Sequence, residues 1–354
     1  MRHSWPMLMA CISRVLGLLF LLHAGGAGVA GAATWKELSP YQRELIEVVL
    51  PEAPDSPWTR EEVTAFLKDY GIRGSSYLAI GFLMRDEGGD HENALEVIRR
   101  ILEVQNTRAK DALYGNWSTH IDRSRDRKDS NWREFVGTAL IVARKSFGEA
   151  LGPELVARID AAVVQAARGS AIRDVKASYT NIALMSAFLM AEAGALEPDS
   201  GLREKGVAKA RAIYEGFREH RTFSEYNSPT YYGVDLRVLA LWRSLAESPE
   251  LSSWGLEMER ELWRDIGQFY HAGLRTMCGP HVRAYGMDMM PYTALTGLAI
   301  AMVLDDPDLA PIPGSEVYRR SGEWTSLTLH AVLGFRVPAD VVADLRSFSG
   351  PRQV

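Results

Sequence analysis

The chain has 354 residues with 45 acidic against 40 basic side chains, a formal net charge of −5 that argues against a nucleic acid or an anionic membrane held by bulk charge. It lacks a Gly-rich phosphate loop, a His-Glu-x-x-His helix, a Gly-x-Ser-x-Gly elbow and paired cysteine ligands, so neither metal nor cofactor is expected. Its two cysteines, Cys11 and Cys278, offer no disulfide framework.

In chain order, Arg2 and Arg14 precede the apolar run Val15 to Leu22, and small residues ending Ala30-Gly31-Ala32 follow. This is the pattern of a secretion signal cleaved after Ala32, and the apolar part is shorter than the roughly 20 residues a membrane-spanning helix needs. No stable membrane anchor is expected, and the mature chain is read as periplasmic or secreted. It retains 322 residues and, without the two arginines, 38 basic against 45 acidic side chains, a net of −7. Cys11 leaves with the signal, and Cys278 reads as a small buried apolar residue rather than a nucleophile.

Apolar residues then recur at helical spacing near 40–49, 59–69, 92–104, 131–145, 153–168, 181–194, 202–218, 234–247, 255–273 and 292–304. Turn chemistry separates them, as in Pro51 to Pro57, Gly88-Gly89-Asp90, Glu197 to Gly201 and Ser248-Pro249. The spacing predicts an all-α chain of short antiparallel hairpins. With no fixed repeat period to announce a solenoid, the arrangement that suits them is an (α/α)n toroid or incomplete barrel forming a single domain over 33–354. The charged run Asp122 to Asp129 alternates in sign and reads as a solvated loop. The stretch from Gly334 to Val354 has no strong amphipathic pattern and reads as a tail or a few strands.

Two segments depart from this apolar pattern. Thr222 to Gly233 packs polar, aromatic and turn-forming residues between two helices; Pro229 restricts Ser228 to extended conformations, so the loop is shaped to present Asn227, Tyr231 and Tyr232. The plainer reading is a helix start at Asn-Ser-Pro with buried tyrosines. The second segment, Gly279 to Asp288, lacks helical periodicity and is predicted to be extended, which would put His281, Arg283 and Tyr285 on one face. Ser178-Tyr179-Thr180-Asn181 and Asp129-Ser130-Asn131-Trp132 precede further helices; Asn181 and Asn131 are cleft residues or N-caps, and Trp132 is a sugar platform or a half-buried aromatic.

Removing the C5 proton of a uronic acid requires that the adjacent carboxylate be neutralised. Asn, protonated His or Arg can do this, after which Tyr or His handles the protons; an adjacent Arg favours phenolate. On Glu225-Tyr226-Asn227-Ser228-Pro229-Thr230-Tyr231-Tyr232 and His281-Val282-Arg283-Ala284-Tyr285, together with the helical pattern and the export signal, the chain resembles the helical-toroid polysaccharide lyases of the alginate, chondroitin and heparinase types. The resemblance implies β-elimination on an anionic, uronate-containing polysaccharide. It makes Asn227 the carboxylate neutraliser, Tyr231 or Tyr285 the base and acid, His281 a base or neutraliser and Arg283 the charge partner. Asn181, Tyr179, Glu225, Tyr232, Asn131 and Trp132 would bind substrate. The chain departs from several of these groups in having no room for their large C-terminal β-sandwich. The rival readings are a toroid glycoside hydrolase using Glu225, Asp235 and Asp288, and a glycan-binding protein without catalysis.

Overall fold

A computed structural model describes residues 33–122, 125–283, 285, 288–313 and 322–352. The expected signal segment, Arg123 and Ser124 of the charged run, and Ala284, Gly286 and Met287 of the second polar segment lie outside the described residues.

Helices begin where the sequence supplies a cap. Ser39 accepts from the Gln42 amide to start α1 (Pro40–Glu47), and Thr59 forms a reciprocal capping box with Glu62 at the start of α2 (Arg60–Arg85). Gly71, at φ +66°, breaks α2 in two, where a residue with a Cβ would be strained. Then come α3 (Asp90–Glu103) and α4 (Trp132–Arg173), the latter broken at Phe147 and at Gly152 ahead of Pro153. They are followed by α5 (Thr180–Leu196), α6 (Leu202–His220), α7 (Tyr231–Leu245) and α8 (Pro249–Phe269). A two-residue antiparallel pair, β1 (Tyr270–His271) with β2 (Thr276–Met277), precedes α9 (Leu295–Leu304), α10 (Leu327–Leu333) and α11 (Ala339–Arg346).

Two kinds of helix alternate. Helix α5 is buried from Thr180 through Gly194, and α7, α9, α10 and the second half of α2 are apolar nearly all round, so they can only be central. Helices α3, α6 and α8 bury one face each and cover the central ones. The central helices pack in succession, α2 on α4, α4 on α5, α5 on α7, α7 on α9 and α9 on α10, and α10 returns to α2. Thr328 donates to the carbonyl of Tyr77 at 2.7 Å across that last contact. The described residues form one compact unit. Among the described residues, no helix is long and apolar enough to cross a membrane.

One element was not anticipated and two expectations are corrected. The apolar run after Gly71 is the central half of α2, hard to recognise because a helix buried on all sides has no amphipathic period. The C-terminal stretch holds a helix, α11, rather than strands. Cys278 is exposed, because it lies just beyond β2, at the start of the second polar segment.

Candidate functional site

The two polar segments, fifty residues apart in sequence, are stitched together. The side-chain amide of Asn227 donates to the carbonyls of Cys278 and Pro280 at 2.7 and 2.8 Å, and the Val282 amide donates to the Tyr226 carbonyl at 3.0 Å. Ser228 Oγ and Thr230 Oγ1 donate to the carbonyls of Arg283 and Tyr285 at 3.1 and 2.8 Å. Backbone groups that a loop would leave to water are thereby satisfied by side chains of the neighbouring loop.

Asn227 is fully buried with φ +49°, and both its amide protons are spent on these carbonyls. It has no donor left for a substrate carboxylate, so its role is to brace the two loops, which corrects its expected place as neutraliser. Ser228, not Asn227, caps α7, accepting from the Tyr231 amide at 3.2 Å. The second segment is not an extended strand, because Arg283 takes φ +54° and the Tyr285 amide turns back to the Arg283 carbonyl. The alternation of side chains therefore fails, yet the tertiary fold keeps Arg283 and Tyr285 together.

Their meeting point is Tyr231, on the first turn of α7. Arg283 donates to the Tyr231 hydroxyl at 2.6 Å and its guanidinium lies 4.2 Å from that ring's centre, while Tyr285 meets the same ring edge-on at 6.2 Å and is 54% exposed. The other arm of Arg283 donates to buried Glu225 at 3.0 Å. Glu225 also accepts from the backbone and side-chain amides of Asn181 at 3.1 and 2.7 Å, a carboxylate placed at the N-terminus of α5 where the helix dipole favours it. Burial pushes the Tyr231 hydroxyl up to about 12, outweighing the downward pull of Arg283, and Glu225 adds to the rise. This corrects the expectation of a phenolate: at neutral pH Tyr231 holds its proton. His281 sets Nδ1 against the Asn227 carbonyl oxygen at 2.9 Å, and because a carbonyl can only accept, Nδ1 is the donor of that bond.

The rim continues across α5 and α4. Asn131 donates to the Tyr179 hydroxyl at 3.1 Å and accepts from Arg173 at 2.8 Å, and Tyr179 is close enough to Tyr231 and Arg283 for their charges to interact. Neither Asn131 nor Asn181 makes a capping bond; side-chain partners claim both. Trp132, next to Asn131, is half-buried beneath Arg73. Tyr232 is corrected: it is buried and its hydroxyl turns toward Thr222 and Asp265, between α7 and α8.

Beneath the rim lies a group of residues that sequence reasoning missed. Arg237 on α7 is 2% exposed, donates to Ser326 at 3.2 Å and lies 5.0 Å from the ring centre of Tyr77 and 5.6 Å from that of Phe135. His330 is buried near it, and burial together with the charge of Arg237 lowers its pKa to about 3, so it stays neutral. Asp235 is fully buried; burial first, and Glu225 second, push its carboxyl well above the usual range, with Arg237 opposing. The only signal available was charged or polar residues inside apolar helices, as in Val-Asp-Leu-Arg-Val and Leu-Thr-Leu-His-Ala. Of the three acids weighed for hydrolysis, Glu225 is bound on both oxygens, Asp235 is sealed in this floor, and exposed Asp288 accepts from the Met290 amide in a turn.

Among the described residues no group of three or more His, Cys, Asp or Glu side chains is close enough to hold a metal ion. Two surface grooves, of about 460 Å³ beside Tyr114, Asp160 and Arg168 and of about 360 Å³ beside Arg203, Val207 and Arg211, share no residue with the rim. No curated protein and no solved structure matches the chain. A family model, described as "Domain of unknown function (DUF8769)", matches residues 58–334, from just before α2 to the end of α10, a span that contains both polar segments and every residue of the rim. The match takes in well over half of the chain, and the protein therefore belongs to the DUF8769 family.

Proposed function

We propose that this protein is an exported polysaccharide lyase that cleaves an anionic, uronate-containing glycan by β-elimination. The observation that carries the reading is the bridge Glu225–Arg283–Tyr231, with Arg283 within 3.0 Å of both partners, while His281, on the same loop as Arg283, is held on the Asn227 carbonyl through Nδ1. In the proposed reaction His281 Nε2 takes the C5 proton and the electron pair forms the C4–C5 double bond. The C4–O bond breaks, and the leaving glycosidic oxygen takes the proton of Tyr231. Tyr231 suits the role of acid because it is protonated at neutral pH and Arg283 stabilises the phenolate left behind. Exposed Tyr285 offers its face to a sugar ring, and Glu225 and Asn181 hold Arg283 in place.

An α/α toroid is the proposed architecture, supported by the alternation of central and covering helices and the return of α10 onto α2. Export after cleavage at Ala32 rests on the charged, apolar and small-residue succession of the first 32 residues.

Incubation of the mature protein with alginate, glucuronan, pectic and glycosaminoglycan chains tests the reading, with ultraviolet absorbance and reducing ends followed together. Both signals rise under β-elimination. Reducing ends without absorbance would mean hydrolysis, and silence in both would leave a glycan-binding protein.

A further inference from the structure

With both amide protons of Asn227 committed to backbone carbonyls, the carboxylate of a uronic acid needs another partner. Arg73, in the first turn after the Gly71 break, has the chemistry for it. Its guanidinium lies 5.1 Å from the ring centre of Trp132 and 5.0 Å from that of Phe135, so it rests on two aromatic rings while the side chain as a whole stays 23% exposed. Among the described residues its guanidinium donates no hydrogen bond, and its one carboxylate neighbour, Glu323, stands off at 3.6 Å. The other rim guanidinium groups differ: Arg283 is committed to Glu225 and Tyr231, and Arg173 to Asn131 and Glu134. The buried cation Arg237 lies across the ring of Phe135 and adds positive potential beneath.

A planar fork of N–H donors, resting on aromatic rings and unspent, matches the geometry of a carboxylate. We infer that Arg73 is the specificity-determining residue of this site: it binds the carboxylate of a uronate sugar ring that lies against Trp132, displacing Glu323. The inference rests on the glycan reading of the site but not on its chemistry, since recognition of the carboxylate can be read at equilibrium.

The test measures dissociation constants by calorimetry for hexamers of glucuronan, alginate and polygalacturonate, and for the same hexamers with their carboxyl groups reduced to alcohols. The Tyr231→Phe background prevents turnover. A charge-assisted pair predicts that the acid form of one hexamer binds on the order of tenfold to a hundredfold tighter than its reduced form. Arg73→Gln should erase that preference while leaving affinity for the reduced form unchanged. Glu323→Gln, which removes the competing carboxylate, should increase the preference, a gain that misfolding cannot imitate. A preference that survives in Arg73→Gln, or no preference in the parent, overturns the inference. If Arg73-dependent binding is found but the unmutated protein forms no unsaturated ends, the lyase reading fails alone; if turnover proceeds with an undiminished preference in Arg73→Gln, this inference fails alone.

Discussion

Tyr231 and Asn227 lie on adjoining stretches of the same polar segment and do different work. Removing the Tyr231 hydroxyl takes away the proposed acid and one partner of Arg283 but leaves the ring that Arg283 and Tyr285 contact. Tyr231→Phe is expected to lower kcat by about 100-fold or more with a nearly unchanged melting temperature, read by absorbance assay and calorimetry. Asn227→Ala removes the two hydrogen bonds by which a buried side chain ties the loops together and should cost about 1–3 kcal/mol, read as a lower denaturation midpoint. A loss of activity in that variant would report displaced loops rather than a missing neutraliser. Two buried groups give opposite pH dependences. His330 titrates near 6.5 unfolded and about 3 folded, so its contribution is present above 6.5 and is lost as pH falls toward 3. Asp265, raised by burial from 3.8 to about 6, contributes below 3.8 and loses that contribution as pH rises through 6. Stability measured from pH 3 to 7 should therefore fall less steeply on acidification in His330→Leu, and more steeply in Asp265→Asn, than in the unmutated protein.

At the level of elements, the site depends on close helix approach. A Cβ at Gly233, in the first turn of α7, would come within 2.4 Å of the Leu295 carbonyl carbon and 2.5 Å of the Thr296 nitrogen. Neither atom can yield without moving the start of α9. Gly233→Ala is expected to destabilise by about 1–3 kcal/mol, checked by urea denaturation, and to lower activity beyond that loss by shifting Tyr231. The amphipathic α3, α6 and α8 were legible in the sequence because each buries one stripe. The central half of α2 was not, since burial on every side erases the period that marks a helix.

Over the whole unit, elements far apart in sequence hold one another, as α7 and α8 do with the end of α10. Arg243 on α7 donates to Glu259 on α8 at 2.6 Å and to the carbonyls of Leu333 and Gly334 after α10, while the Arg336 amide donates to the same glutamate. Replacing Arg243 with Met would leave Glu259 buried without its cation, and is expected to cost about 3–5 kcal/mol, seen in a single cooperative transition. A chain ending at residue 321 would lose α10 and uncover the central half of α2, so loss of the sharp thermal transition is expected rather than a partial decrease.

The sequence by itself determined the all-α class, most helix positions and the two segments that carry polar chemistry, because periodicity, caps and turn residues are local properties of the chain. It also marked Tyr231, Arg283, Tyr285, Asn181, Tyr179, Asn131 and Trp132, which the fold gathers on one rim. What only the tertiary structure decided is which donors remain unspent. Asn227 is consumed by carbonyls fifty residues away, Tyr232 faces Asp265, the Tyr231 proton is held by burial against Arg283, and Arg73 rests on two aromatic rings with no hydrogen bond from its guanidinium among the described residues. Those outcomes depend on desolvation and on partners distant in sequence, which no local pattern of residues encodes.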